Sequence, residues 1–200
     1  ETSTATNTPI TCNSSAPFWR ASVDENGEDY VGDTSNLQQE VHLSQNANFA
    51  VFGFGDGNTY NLIRLYERSL CRAIPIIATE TPSSFSYACS ISEDGRYILL
   101  DTELPLLAID TNSNSDTYLY DRVLNAFEYI PFGLSGETAN DYTFCRSMSA
   151  DARYILFESN ASNLVVNDTN GSVDVFLKDR QTGITERINV ATDGSQAEGG

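Results

Sequence analysis

The side chains best placed for chemistry are acids and amides that recur at a fixed spacing. Asp110, Thr111 and Asn112 are followed by Asp116, and Asp168, Thr169 and Asn170 by Asp174. Oxygens at the first, third and seventh positions of such a loop can converge on calcium, which takes six to eight oxygen ligands. An EF-hand-like loop would need a further acidic ligand downstream, and none is in phase. The plainer reading is turn chemistry, because Asp and Asn side chains bond the backbone two residues on. A partial copy, Asp56 and Asn58 with Leu62 in the last position, precedes both loops. Calcium is the one cofactor these residues suggest.

Other chemistries have weaker footing. His42 is the single imidazole, and no C-x-x-C pair accompanies it, so zinc chemistry is not set up. Its simplest role is that of a satisfied polar residue at the start of an inner strand. Gly133-Leu134-Ser135-Gly136 does not have the spacing of a G-x-S-x-G nucleophile elbow. No Gly-rich phosphate loop is present. With 28 acidic residues, a glycosidase-like carboxylate pair is too easily drawn to be informative. The expectation is a protein that is not an enzyme.

Charge narrows the partners. Eleven basic residues face 28 acidic ones, a net charge of -17. That field repels phosphate, so nucleic acid and anionic membrane surfaces are poor partners. No apolar run is long enough to span a bilayer, and any signal peptide is expected to have been removed. Cys12, Cys71, Cys89 and Cys145 form an even set. Such a set is compatible with two disulfides and an oxidising compartment, extracellular or periplasmic, with three pairings open. Glycosylation sequons begin at Asn13, Asn160, Asn167 and Asn170. They are about as frequent as the composition would produce by chance.

The elements that must carry these residues are repeated. Residues 90–100 read SISEDGRYILL, residues 147–157 SMSADARYILF, and residues 42–52 HLSQNANFAVF. Each is a polar turn feeding a continuous β-prone run, the entry to a buried strand. A second block follows: NLIRLYER at 61–68, DTYLYDR at 116–122 and DVFLKDR at 174–180. It alternates with period two, as a strand requires, and ends in an acidic–Arg pair: Glu67-Arg68, Asp121-Arg122, Asp179-Arg180. One member of each pair is expected to bond within the blade and the other to face solvent. A third strand then leaves at 71–77, 127–132 and 184–190. Strand groups repeating at roughly 50-residue intervals indicate propeller blades. An immunoglobulin-like sandwich would not explain three copies in register. Tyr97, Ile98, Leu99, Tyr154, Ile155 and Leu156 are the expected buried strand residues.

The pattern S-x-S-x-D-G-R-Y-I-x-F, then D-T-N-G-x-x-D-V-F-x-x-D-R-x-T-G, then R-x-x-V-x-x-D-G resembles the TolB-like, WD-like propeller repeat of bacterial secreted proteins. Residues 147–194 follow it almost throughout, residues 90–136 well, and residues 42–77 in outline. The resemblance implies an all-β, β-propeller-type array of about three four-stranded blades, near 41–78, 89–134 and 146–192. It implies little about activity, since such scaffolds carry many roles.

The ends of the chain shape the functional expectation. Residues 20–32 match residues 187–199 in phase, so 18–32 reads as an extra outer strand ahead of the first blade. Residues 1–17 read as an extended arm preceding an 18–200 propeller-like domain. Three blades are too few to close a ring. Phe18, Trp19 and Val23 are the expected assembly contacts with a neighbouring copy. The leading expectation is an extracellular structural or interaction protein that self-assembles head to tail, as ring or filament, or acts in surface adhesion. The alternative is a sugar- or peptide-binding propeller module belonging to a larger secreted protein.

Overall fold

Alternating apolar residues between Ser/Asp turns produce strands throughout the part of the chain described by this computed structural model, residues 41–54, 62–77 and 85–196. Blade one holds β1 (His42–Leu43), β2 (Phe49–Phe54), β3 (Leu62–Glu67) and β4 (Arg72–Ile77). Blade two holds β5 (Ser86–Ile91), β6 (Tyr97–Thr102), β7 (Asp116–Asp121) and β8 (Ala126–Tyr129). Blade three holds β9 (Thr143–Met148), β10 (Tyr154–Ser159), β11 (Asp174–Asp179) and β12 (Ile184–Arg187). Each blade is a four-stranded antiparallel meander. No helix occurs among the described residues.

The same turn opens every blade, for a reason visible in its side chains. Ser92 Oγ donates to Asp94 Oδ1 at 2.7 Å and accepts the Tyr97 amide at 2.8 Å. Ser149 does the same with Asp151 and Tyr154, at 2.6 and 2.9 Å. In blade one Ser44 bonds Asn46 at 2.8 Å and the Phe49 amide at 3.1 Å. The hydroxyl and acid thus satisfy backbone and side-chain groups that a tight turn leaves without ladder partners. The next residue, Ala47, Gly95 or Ala152, has positive φ in all three blades. Gly95 also lies so close to the neighbouring blade that a Cβ would strike the Phe49 ring.

Side chains of one strand point alternately to opposite faces, so each blade feeds two cores. Ile98, Leu100, Tyr118 and Tyr120 of blade two pack with Val51, Ile63, Leu65 and Ile77 of blade one. Leu99, Leu119 and Ile130 on the opposite face pack with Ile155, Phe157 and Phe176 of blade three. A third cluster, Ala50, Phe52, Tyr66 and Ala73, is buried on the far face of blade one.

The expected buried set is met in part. Ile98, Leu99 and Ile155 are fully buried. Tyr97 and Leu156 are only half-buried, and Tyr154 is 39 % exposed. The difference is positional. Tyr154 and Leu156 point away from blade two, and no described residue forms a core on that side.

Ile155 should be sensitive to truncation. Ile155→Ala should cost about 2–5 kcal/mol in urea unfolding, the range for a large core truncation. Leu156→Ala should cost clearly less. Equal losses at the two positions would contradict the two-faced blade.

Candidate functional site

The acidic loops come together as their spacing suggests, and their oxygens meet protein donors. In blade two the Tyr118 hydroxyl donates to Asp110. The Tyr129 hydroxyl and the Asn112 amide donate to Asp116 at 2.7 and 2.9 Å. Asn112 also accepts the Asn114 amide at 2.6 Å, a turn closed by its own side chain. Blade three has Phe176 in place of Tyr118 and Arg187 in place of Tyr129. Arg187 there bridges Asp168 at 3.3 Å and Asp174 at 3.1 Å, and Asn189 donates to Asp174 at 2.7 Å. One guanidinium thus replaces two phenols. Burial pushes Asp116 up to about 6 against its hydrogen bonds, and burial beside Asp174 raises Asp168 against Arg187.

The acidic–Arg pairs divide their work differently from expectation. Arg96 grips Asp121 through Nε and Nη2, at 3.0 and 2.7 Å, and Arg153 grips Asp179 likewise, at 3.0 and 2.8 Å. These bonds hold both carboxyls below the usual range. The arginines of the second and third pairs reach the preceding blade instead of solvent, while Arg68 of the first pair is exposed. Arg122 donates to Glu67 at 2.8 Å and lies over the Phe49 ring, 4.9 Å from its centroid. Arg180 donates to Glu128 at 2.6 Å and lies over Tyr97, also at 4.9 Å. A guanidinium keeps its hydrogen bonds at its edge while its face stacks on an aromatic ring, which makes it suited to this boundary.

Between blades two and three the first strands are joined covalently. Cys89 on β5 and Cys145 on β9 form a disulfide with Cα atoms 6.1 Å apart. Closing a loop of this length constrains the unfolded chain by about 4 kcal/mol. Cys71 is also disulfide-bonded, while Cys12 lies outside the described residues. Beside the disulfide sits Asp101, fully buried. Thr117 Oγ1 donates to it at 2.6 Å and the Cys145 amide at 2.8 Å. Burial raises its carboxyl to about 7, partly offset by these donors and Tyr87. Asp101 and the two sulfurs lie within 4.8 Å of one another, but sulfurs bonded to each other are not thiolate ligands. The repeat motif held no signal for this buried carboxylate, because blade three has the exposed-side pair Glu158–Arg146 at the corresponding positions.

The remaining notable surface is the outward flank of blade three. Leu156, Leu177 and Ile188 occupy the strand positions of Leu99, Leu119 and Ile130. The blade-two residues are buried, Ile130 to 1 % exposure, whereas Ile188 is 45 % exposed and Leu156 and Leu177 are half-buried. Tyr154 and Ile184 extend the apolar strip. His42 lies on β1, half-buried. Of the sequons, Asn160 and Asn167 are exposed, Asn170 shares its amide with Asp174, and Asn13 lies outside the described residues. So do Phe18, Trp19, Val23 and the 1–17 arm.

No family model matches the chain, and no curated protein matches it. Solved structures do. TolB from Acinetobacter baumannii is 17 % identical with a TM-score of 0.51, over 80 % of this chain and 34 % of that one. A putative TolB from Agrobacterium tumefaciens is 17 % identical with a TM-score of 0.54, over 84 % and 50 %. Prolyl oligopeptidase B from Galerina marginata aligns at 10 % identity and a TM-score of 0.47 over 76 % and 20 %, too slight a likeness to bear on activity. The blades therefore have the fold of a TolB-like β-propeller, and the chain spans half or less of the TolB chains it matches.

Two outcomes follow from the geometry. Asp101 has a raised folded pKa, so its stabilising contribution is complete below its ordinary value of 3.8 and is lost as pH rises through about 7. Urea unfolding should show stability falling between about pH 4 and pH 7 and levelling off above, and Asp101→Asn should flatten that fall; an unchanged slope would contradict the assignment. In blade three Arg187 bridges Asp168 and Asp174 and offsets one of their two charges, and in blade two Tyr118, Tyr129 and Asn112 donate to Asp110 and Asp116, so chelator should leave the melting temperature unchanged. A chelator-sensitive melting temperature that Asp168→Asn abolishes would instead support calcium.

Proposed function

We propose that the chain is a non-catalytic association module of an oxidising compartment outside the cytoplasm, with the outward flank of blade three as its working surface. The supporting observation is the exposure of Leu156, Leu177 and Ile188, whose counterparts in blade two are buried. An apolar strip of this kind marks an interaction surface. It joins this three-blade arc to whatever continues it, closing a ring, or building a filament where the rotation does not close. Surface adhesion would use the assembled body. The Cys89–Cys145 disulfide supports the compartment, since such bonds persist where thiols are not kept reduced. A non-enzymatic role fits the repetition of the acidic loops and Arg grips, because a catalytic group is needed once.

A second reading, a sugar- or peptide-binding propeller module, draws on a separate observation. Phe85 and Tyr87 at β5 and Tyr142 and Phe144 at β9 form two aromatic pairs at the entries of neighbouring first strands. Phe85 and Tyr142 are 45 % and 48 % exposed, and such rings can stack on a ligand's apolar face.

Sedimentation velocity tests the association reading. The chain should sediment faster as concentration rises, because its flank is uncovered. Leu156→Asp with Leu177→Asp should weaken that association by roughly tenfold or more, the effect of losing about one well-buried apolar contact. A chain that stays monomeric throughout, with the double variant sedimenting identically, would contradict it.

A further inference from the structure

We propose that Cys89, Cys145 and Asp101 form a thiol–disulfide exchange site, in which Asp101 gives a proton to the Cys145 sulfur as an external dithiol opens the bond between blades two and three. The placement starts from a backbone irregularity. Cys89 is the extra residue where the β5–β6 register shifts between Ala88 and Ser90, and such a bulge re-aims a side chain. Arg146 is the corresponding extra residue where the β9–β10 register shifts. In both blades an acid on the second strand lies beside the bulge. In blade three that acid is Glu158, which pairs with Arg146. In blade two it is Asp101, and one of its oxygens and both sulfurs lie within 4.8 Å of one another. The position that meets a cation in blade three therefore meets a redox pair in blade two.

The surroundings of Asp101 suit a group that exchanges a proton. Thr117, the Cys145 amide and the Tyr87 hydroxyl donate to it, and each favours its ionised form. Burial opposes them and pushes the carboxyl up to about 7, where it both gives and takes a proton readily. The titratable and charged groups that face it are Tyr87 on β5, Arg146 on β9 and, by way of Tyr87, Glu158 on β10; β7 contributes the neutral Thr117. The two sulfurs are unequal. Cys89 is 6 % exposed and Cys145 1 %, so the incoming thiolate attacks Cys89 Sγ. The bond to Cys145 breaks, and its electron pair leaves on Cys145 Sγ. A thiolate released at that depth is costly. It takes the proton of Asp101, after rotation of the freed sulfur or through one water. Asp101 is left as a carboxylate and recovers a proton from solvent. The second thiol of the dithiol, having lost its proton to solvent, then displaces Cys89, whose thiolate takes a proton from solvent. The dithiol is oxidised to its own disulfide and the two cysteines are reduced, two electrons in all. In the reverse direction the Asp101 carboxylate takes the Cys145 proton as the bond forms.

The test treats the full oxidised chain with dithiothreitol. Samples are acid-quenched, alkylated and read by peptide mass spectrometry, with the disulfide-bonded Cys71 scored in the same digests as a reference. Rates are expressed per dithiothreitol thiolate, which removes the reductant's own titration. The Cys89–Cys145 rate should then fall as pH rises through about 7, while near-UV circular dichroism shows the fold intact. Opening by unfolding would instead speed up with pH, because stability falls over the same window. Asp101→Asn should slow opening by roughly tenfold or more at about pH 6 and remove the pH dependence, with reduction at Cys71 unchanged. Thr117→Val keeps the carboxyl but removes a donor to its ionised form, so it should move the midpoint to higher pH. The proposal is overturned if the thiolate-corrected rate is flat with pH, or if the Thr117→Val midpoint stays in place. It is also overturned if Asp101→Asn opens as fast as the native chain or faster, the result a purely structural Asp101 would give. Opening that is independent of dithiothreitol concentration, or that coincides with loss of the near-UV signal, overturns it as well, since the bond is then reduced only on unfolding.

Discussion

A four-stranded blade is apolar on both faces, so it needs a neighbour on each side. That constraint follows from the strand period of two applied to runs such as Tyr97–Thr102, where Ile98 and Leu100 face one way and Leu99 the other. Blade two meets it fully: its third strand, Asp116–Asp121, is buried along its whole length. Blade one is buried on both faces. Among the described residues, blade three meets the constraint on one face only. The arginines that close each boundary act along the same axis, each reaching back to the blade before it. The two boundaries therefore share one direction.

Polar groups are spent on holding this arrangement. A Ser–Asp turn, Ser–Asn in blade one, aligns the first two strands of each blade. The acidic loop ties the third and fourth strands to the connection before them, with phenols in blade two and a guanidinium in blade three. Phe176 cannot donate as Tyr118 does, and Arg187 makes good the loss by serving both carboxylates. Two different solutions to one burial problem indicate that the carboxylates are tolerated where they are because donors surround them. Asp101 beside the disulfide is fully buried, and burial pushes its carboxyl above the ordinary range against its donors.

Much of the fold was legible in the sequence, because the turn Ser92-x-Asp94-Gly95 and its copies join a local cause to a local structure. The strand runs after them have the right period, and three copies in register imply blades. What was not legible depends on which blade lies beside which. The residue after the third-strand acid, Arg122 or Arg180, looks like a solvated charge in one dimension, and only the neighbouring ring shows its role. Tyr154 matches Tyr97 in motif yet differs in exposure, since exposure belongs to the assembly and not to the segment. The acidic loops were visible as a cluster, but the donors that fill them, Tyr129 and Arg187, come from the fourth strand of each blade. Phe18, Trp19 and Val23, the expected assembly contacts, lie outside the described part of the chain.

The central claim is that blade two and blade three carry the same outward surface, covered in one and open in the other. Hydroxyl-radical footprinting of the folded chain, read residue by residue by mass spectrometry at a dilution that suppresses association, tests it directly. Tyr154, Leu177 and Ile188 should label readily, while Leu99, Leu119 and Ile130 should be protected until the protein unfolds. Equal protection of both sets in the folded chain would show that the blade-three flank is already covered, and the account of an open, directional arc would be wrong.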